Sequence, residues 1–155
     1  MRIERIDEDA WSRLAKIRLA SLLDAPDAFG TVHEDAAKWT EASWRRQLRD
    51  IATFVAVLDD LDVGMVRGVR HADLEDTVYL ISMWVDPRAR RRGVGSALID
   101  AVIAWTRSIG RRRVFLDVRT NNASAERLYR AKAFAPTGVM HRDGAFLERQ
   151  YALEV

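Results

Sequence analysis

The sequence predicts a mixed α/β fold: one sheet with helices on both faces, in the order β-α-α-β-β-β-α-β-α-β-β. Three observations carry this. Apolar residues recur at helical spacing near the N-terminus, alternate with period two through the middle, and return to helical spacing twice in the second half. The 155 residues hold no internal repeat, low-complexity tract or Pro/Gly/Ser-rich linker, and only three prolines, so one domain spanning residues 1–155 is expected. With 48% apolar residues, a chain this long buries about 68–70% of its unfolded surface and needs no disulfide or metal staple.

Met1 to about Ile6 reads as a first strand. A helix from about Asp9 to Leu22 follows, with Ala10, Trp11, Leu14, Ile17 and Leu22 at helical spacing. Asp24-Ala25-Pro26-Asp27 breaks it, and residues 24–39 read as an acidic loop carrying Phe29 and Trp39. Thr40 is a candidate N-cap for a second helix through about Arg49. From Ala52 the period is two: Ala52–Leu58 and Val63–Arg70 read as a hairpin turning at Asp59-Asp60-Leu61-Asp62, and Thr77–Val85 as a third strand of this group. Asp86-Pro87 stops it. Gly93-Val94-Gly95 opens a long helix to about Ile109, Val114–Val118 is a short strand, and Asn122 caps a helix ending near Lys132. Phe134–His141 and Ala145–Leu153 close the sheet as a hairpin, with Asp143-Gly144 signalling a type I′ turn.

Composition narrows the function. There is no cysteine, which removes thiol nucleophiles and thiolate metal sites and fits a reducing compartment. His33, His71 and His141 are scattered without ligand spacing, so no metal is expected. The N-terminus lacks an apolar targeting core, and no stretch approaches the ~18–20 apolar residues of a membrane span, so a cytoplasmic protein with no membrane partner is expected. The net charge of +2 hides an asymmetry: residues 1–80 carry 11 basic and 16 acidic side chains, and residues 81–155 carry 14 and 7. Of the 25 basic residues only Lys16, Lys38 and Lys132 are lysine. Arginine is the side chain whose planar fork suits phosphate.

The positive charge concentrates between Arg88 and Arg119, nine arginines against Asp100 and Asp117. Within it, Val85-Asp86-Pro87-Arg88-Ala89-Arg90-Arg91-Arg92-Gly93-Val94-Gly95-Ser96 runs from strand to basic turn to glycines to helix start. Glycines at a helix mouth let backbone N–H groups approach an anion that the helix dipole favours. A glycine-started helix with a solvated basic loop explains the same residues. The Walker phosphate loop is excluded, because its Gly-Lys-[Ser/Thr] end is absent. A dinucleotide fingerprint fits poorly, since Leu98 stands where its third glycine belongs.

Arg90-Arg91-Arg92-Gly93-Val94-Gly95 resembles the Arg/Gln-x-x-Gly-x-Gly/Ala acetyl-coenzyme A signature of the GNAT superfamily of N-acetyltransferases. Asn122-Ala123-Ser124-Ala125-Glu126-Arg127-Leu128-Tyr129, followed by Phe134, is similar to that family's second element, except that Ala133 stands where Gly is usual. A non-glycine left-handed residue there costs about 1–2 kcal/mol. The resemblance implies a mostly antiparallel sheet of six to seven strands flanked by about four helices. It also implies transfer of an acetyl group from acetyl-CoA to a primary amine by direct attack in a ternary complex.

The resemblance places the pyrophosphate on the amides of Arg91, Arg92, Gly93, Val94, Gly95 and Ser96, with Arg90 contacting it or bracing the loop. It pairs the pantetheine arm with Met83 and Val85, and lets Asn122 reach that arm. Tyr129 becomes the general acid that protonates the departing thiolate; its spacing alone fits an ordinary core tyrosine. Glu34 is the general base this reading offers, with His33, Asp117 and His141 as others. The acidic loop 24–39, with Phe29 and Trp39, suits a cationic acceptor. Two other readings stay open. The stripe Arg107, Arg111, Arg112, Arg113 and Arg119 suits a nucleic-acid- or ribosome-associated protein, and an acetyl-CoA-binding sensor would keep the same cofactor motif. Phe146, Tyr151 and the tryptophans read as exposed and point to a homodimer through the last strands.

Overall fold

The computed structural model describes residues 1–155. Its strands are β1 (Arg2–Ile6), β2 (Ala52–Leu58), β3 (Leu61–Arg70), β4 (Thr77–Val85), β5 (Arg113–Arg119), β6 (Ala135–Asp143) and β7 (Phe146–Glu154). Its helices are α1 (Trp11–Asp24), α2 (His33–Ala36), α3 (Glu41–Asp50), α4 (Val94–Ser108) and α5 (Ala123–Ala131). The strands form a single seven-stranded sheet in the order β1-β2-β3-β4-β5-β7-β6, antiparallel except where β4 meets β5. The expected mixed α/β fold is the one found.

Two caps are as expected. Thr40 Oγ1 accepts from the Ser43 amide, and Asn122 Oδ1 accepts from the Ala125 amide, each satisfying a donor that the first helical turn leaves free. Three expectations need correction. Residues 24–39 are not a continuous loop: α1 runs on to Asp24, a single 3-10 turn covers Pro26–Ala28, and α2 lies inside the segment. The β2–β3 turn is only Asp59-Asp60, both with positive φ (51° and 60°), and Leu61 already pairs with Leu58. That is the type I′ geometry, reached by aspartates, which tolerate left-handed backbone better than most side chains. The last hairpin turns instead at Gly144-Ala145 with positive φ at Gly144 alone. It therefore belongs with the two-residue turns that need glycine only at the first position.

The core is split by the sheet. On one face α4 and α5 pack against Val78, Leu80, Val114, Leu116 and Val118; on the other α1 and α3 cover Val55, Val57, Met65 and Trp84. The aromatic basis for a dimer is not there: Tyr151 is 0% exposed, Trp44, Trp84 and Trp105 are buried, and Phe146 lies under the Arg119 guanidinium at 3.8 Å. No helix is long and apolar enough to cross a membrane.

Candidate active site

The parallel pair at the centre of the sheet is short. Only Thr77, Val78 and Tyr79 of β4 pair with Arg113, Val114 and Phe115 of β5. Beyond them the strands part, so the C-terminal half of β4, with Met83 and Val85, keeps free backbone groups on that side. On its other edge β4 carries a bulge. Met65 pairs with Trp84 but Arg67 with Ile81, so Ser82 and Met83 lie opposite a single residue, and Ser82 takes a positive φ of 56°. An extra residue bends a strand and sharpens its twist. It does so here beside the gap.

At the end of β4 the chain makes one 3-10 turn, Pro87–Ala89, and enters α4 through Gly93, its N-cap, at φ 79°. Arg91 is also left-handed, at φ 61°. The amides of Arg91, Arg92, Gly93, Val94, Gly95 and Ser96 donate to no protein acceptor, whereas Ala97 begins the helical ladder by donating to the Gly93 carbonyl. Consecutive unpaired N–H groups at a helix mouth form a concave anion cradle. These residues fit the diphosphate of acetyl-CoA.

The two glycines do different things. A Cβ on Gly93 would meet nothing within 4 Å, so its role is conformational and its surface stays open. A Cβ on Gly95 would sit 2.9 Å from Leu128 Cδ2, so this glycine lets α5 press against the start of α4.

Arg90 braces the loop. Its Nε donates to the Val85 carbonyl (3.0 Å) and its Nη2 to Asp24 Oδ2 (2.8 Å), which also accepts from Trp84 Nε1 (2.9 Å). Asp24, at the end of α1, therefore ties α1, β4 and the signature loop together. Arg88 is paired with Asp86. Arg91 and Arg92 are exposed and unpaired, leaving their charge to the loop's surroundings.

Tyr129 lies on α5, 6% exposed, beside Phe134 with ring centroids 5.9 Å apart. Burial pushes its phenol well above the usual value, so the group is protonated at neutral pH. Its hydroxyl makes no hydrogen bond to the protein and is not sealed off, since Arg18 Nε is the one fully enclosed side-chain polar atom without a partner. The helix stop holds the ring in place. Phe134 N–H donates to the Tyr129 carbonyl and Ala133 N–H to the Arg130 carbonyl, each at 3.0 Å, with Ala133 at φ 69°. This is a Schellman motif, and the Tyr129–Phe134 contact is the hydrophobic pair that accompanies it. Ala133 thus takes the left-handed position that the sequence predicts will be strained. Glu126 Oε1 anchors α5 from below, accepting from Tyr151 Oη (3.0 Å) and Arg149 Nε (3.1 Å).

On the far wall of the gap, β5 presents Asp117. Its Oδ1 lies 3.5 Å from His141 Nε2, and burial raises its carboxyl above the usual range against the opposing pull of His141. Glu148 is raised too, by burial and then by Asp117 and Asp143. Glu34 stands exposed on α2 with neither hydrogen bond nor ion pair. The aromatic residues of the 24–39 segment are already engaged: Phe29 lies 4.7 Å from the Arg18 guanidinium and Trp39 packs edge-on against Trp44. Arg119 binds this segment to β5, donating to the carbonyls of Asp27 and Phe29 and to Asp143. A cavity of about 260 Å³ remains between residues 24–28 and Arg119, Asn121 and Asn122. A larger one, about 510 Å³, lies between α1, the β2–β3 hairpin and the end of β4 at Trp84, Asp86 and Arg88, and there Arg13 is paired with Glu4 and Asp62.

Of the basic stripe, Arg107 and Arg112 are exposed without a side-chain partner, and the other three are engaged. Arg111 donates to the Thr77 carbonyl, Arg113 pairs with Glu154, and Arg119 is buried.

A seven-stranded sheet parted at its centre, with an amide cradle at the mouth of the following helix, is the arrangement that the resemblance to the N-acetyltransferases implies. A family model described as the acetyltransferase (GNAT) family matches residues 17–134, and the chain belongs to that family. It is 39% identical over 131 residues to an aminoglycoside N(6′)-acetyltransferase type 1 of Stenotrophomonas maltophilia, covering 84% of this chain and 82% of that one. Its fold matches that of a GNAT-family acetyltransferase from Streptococcus pneumoniae with a TM-score of 0.81, at 20% identity and 99% coverage of both chains. It also matches yncA of Salmonella typhimurium, solved with its cofactor acetyl-CoA, with a TM-score of 0.75 at 19% identity, covering 99% of this chain and 93% of that one. The protein is an acyltransferase of a family that uses acetyl-CoA.

Proposed function

We propose that this chain, acting as one domain, transfers the acetyl group of acetyl-CoA to a primary amine by direct attack in a ternary complex. The observation that carries the reading is the run of six unpartnered amides from Arg91 to Ser96, opened by left-handed Arg91 and Gly93. These amides hold the diphosphate, Arg91 and Arg92 add counter-charge, and Arg90 braces the loop without touching the ligand. The unpaired edge of β4 at Met83 and Val85 takes the pantetheine amides as an added strand would, and Asn122, its Oδ1 committed to capping α5, keeps its amide N–H₂ for the arm. Bound there, acetyl-CoA supplies a thioester carbonyl open to attack.

Tyr129 donates its phenolic proton to the departing sulfur; a neutral buried phenol is suited to that role. The attacking ammonium must first lose a proton. Glu34, the base the sequence offers, has no partner that would hold it toward the gap. Asp117 is better placed on the β5 wall, and its raised carboxyl is a stronger base than an ordinary one, acting directly or through a water with His141 beside it. The absence of cysteine fits a mechanism with no thiol acyl-enzyme.

Calorimetric titration of acetyl-CoA into wild type and Gly93→Glu tests this. The substitution places a carboxylate in the cradle where a Cβ meets no atom within 4 Å, at a backbone cost of about 1–2 kcal/mol for φ 79°, which a melting curve of the variant registers. Tight binding to wild type, lost in the variant and followed by amine-dependent thiol release, supports the reading. A folded wild type that does not bind acetyl-CoA overturns it.

A further inference from the structure

Two arginines are buried on the α1 side of the sheet with no carboxylate for either. Arg18 of α1 is 4% exposed and Arg67 of β3 is 6% exposed. Of the five N–H groups of Arg18, only Nη1 has an acceptor, Ser21 Oγ at 3.4 Å, and Nε is enclosed with none. Arg67 gives Nε and Nη2 to Ser82 Oγ (3.0 and 2.8 Å) and Nη1 to Gln47 Oε1 (2.9 Å), both neutral. Burial draws Arg18 down to about 10 and Arg67 down to about 9, and the charge of Arg18 adds to the second shift. Both therefore stay charged at neutral pH and repel each other.

A buried cation without a counter-ion is strongly unfavourable, and apolar side chains would serve a core better. Two such cations in one place call for a counter-charge that the chain itself does not supply. Their location says where it comes from. Arg67 is bonded to Ser82, the left-handed residue of the β4 bulge, one position before Met83 on the edge assigned above to the pantetheine arm. Phe29 lies over Arg18 from the segment that Arg119 ties to β5. The pair therefore sits beside the reacting end of the cofactor and under the strap that borders the gap.

We propose that Arg18 and Arg67 bind an oxyanion carried by the acceptor, so that the substrate is an amine bearing a carboxylate or a phosphonate. This rests on the acetyltransfer reading for its amine, but the anion site stands independently of acetyl-CoA. The forked donors of Arg18 take the two oxygens, while Asp117 and Glu148 across the gap face the positive amino end. An aminoglycoside, which carries no acid group, leaves the pair unmatched.

The test has a binding arm and a kinetic arm. Melting temperatures of wild type, Arg18→Met and Gly93→Glu are measured against phosphate, methylphosphonate and acetate, with chloride at equal ionic strength as reference. Stabilisation by an anion in wild type and Gly93→Glu but not in Arg18→Met is expected. So is a higher melting temperature for Arg18→Met without ligand, the reverse of what loss of a structural arginine would give. In the kinetic arm, β-alanine, glutamate and 2-aminoethylphosphonate are compared with ethylamine and β-alaninamide. Acid-bearing amines should be preferred, and Arg18→Met or Arg67→Lys should raise their KM by about 10–100-fold while sparing the neutral amines. The better of the carboxylate and phosphonate arms names the group.

No anion-specific stabilisation of wild type, or stabilisation lost in Gly93→Glu and kept in Arg18→Met, overturns the proposal even if acetyl-CoA binds. Anion binding at Arg18 without acetyl-CoA binding would overturn the acetyltransferase reading and leave the anion site standing.

Discussion

On the α4 side of the gap, what is offered to a ligand is backbone: six amides, a free strand edge, and two glycines whose lack of a side chain is their contribution. On the α1 side it is side chains from separate elements, Arg18 from α1, Arg67 from β3 and Ser82 from the β4 bulge. A backbone site is written in consecutive residues and tolerates change in most of their side chains. A side-chain site is assembled from distant positions and depends on each of them. The same contrast separates the two groups of arginines. Those of the signature loop are exposed or used as braces, while the uncompensated ones lie in the half of the chain whose net charge is negative.

The largest effect is expected on the α4 side, from the tyrosine of α5. Tyr129→Phe removes the proton donor and leaves the ring against Phe134, so kcat should fall by ~10²–10⁴ with acetyl-CoA affinity unchanged. Steady-state thiol release together with calorimetry reads both quantities. A weakened affinity with intact kcat would return the tyrosine to a packing role.

This division explains what was legible in sequence. The cradle and α5 are each one short run of residues, and every element apart from α2 is marked locally, by an apolar period, a cap, or a glycine or turn residue at its end. The sheet order was not, because the pairing of β5 with β7 and the parting of β4 from β5 are tertiary facts with no local signature. Nor was the bulge, since nothing in Ile81-Ser82-Met83 demands a left-handed serine. Arg18 did leave a trace: it occupies a core position in the stripe Leu14, Ile17, Ser21, Leu22, where a charge conflicts with the helix period. Total charge pointed to the second half of the chain because a count cannot see burial. Nor can a count show that Tyr151, Trp44, Trp84 and Trp105 lie inside the core.

Next in size is a test of the two glycines. Gly95→Ala pushes the terminal methyl of Leu128 away from α4, a shift of a flexible side-chain end, so its cost in denaturant unfolding should be about 1 kcal/mol or less, and Leu128→Ala in the same chain should remove the contact and recover part of it. Gly93→Ala has room for its Cβ and should cost about 1–2 kcal/mol through its left-handed backbone, with no rescue by Leu128→Ala. Equal rescue of both would remove the distinction between a packing glycine and a conformational one.

A smaller effect concerns the acceptor wall. The folded Asp117 carboxyl titrates above its unfolded value, so the folded state holds this proton more tightly. Its contribution to stability is lost as pH rises through the unfolded and then the folded value. Asp117→Asn should therefore raise the melting temperature at neutral pH while lowering kcat. The gain should vanish in acid, where the wild-type group is protonated in both states. A melting temperature that drops at neutral pH would show that Asp117 is there to hold His141 and not to serve the reaction.

The smallest effect isolates the backbone from the chemistry. Ala133 holds a left-handed position at φ 69°, for which a Cβ costs about 1–2 kcal/mol, while glycine gives back about 0.4–1 kcal/mol through the freedom it adds to the unfolded chain. Ala133→Gly should therefore stabilise the fold by about 1 kcal/mol or less, read as a shift in denaturant midpoint at constant slope. Because the two closing hydrogen bonds are already made at 3.0 Å, Phe134 stays against Tyr129 and kcat should not move. Ala133→Val supplies the opposite sign: a β-branched side chain resists positive φ, so the stop loosens and Tyr129 loses its neighbour. If kcat falls with Ala133→Val while acetyl-CoA binding holds, the backbone at the end of α5 sets the position of the proton donor, and the side-chain chemistry of this site depends on backbone geometry after all.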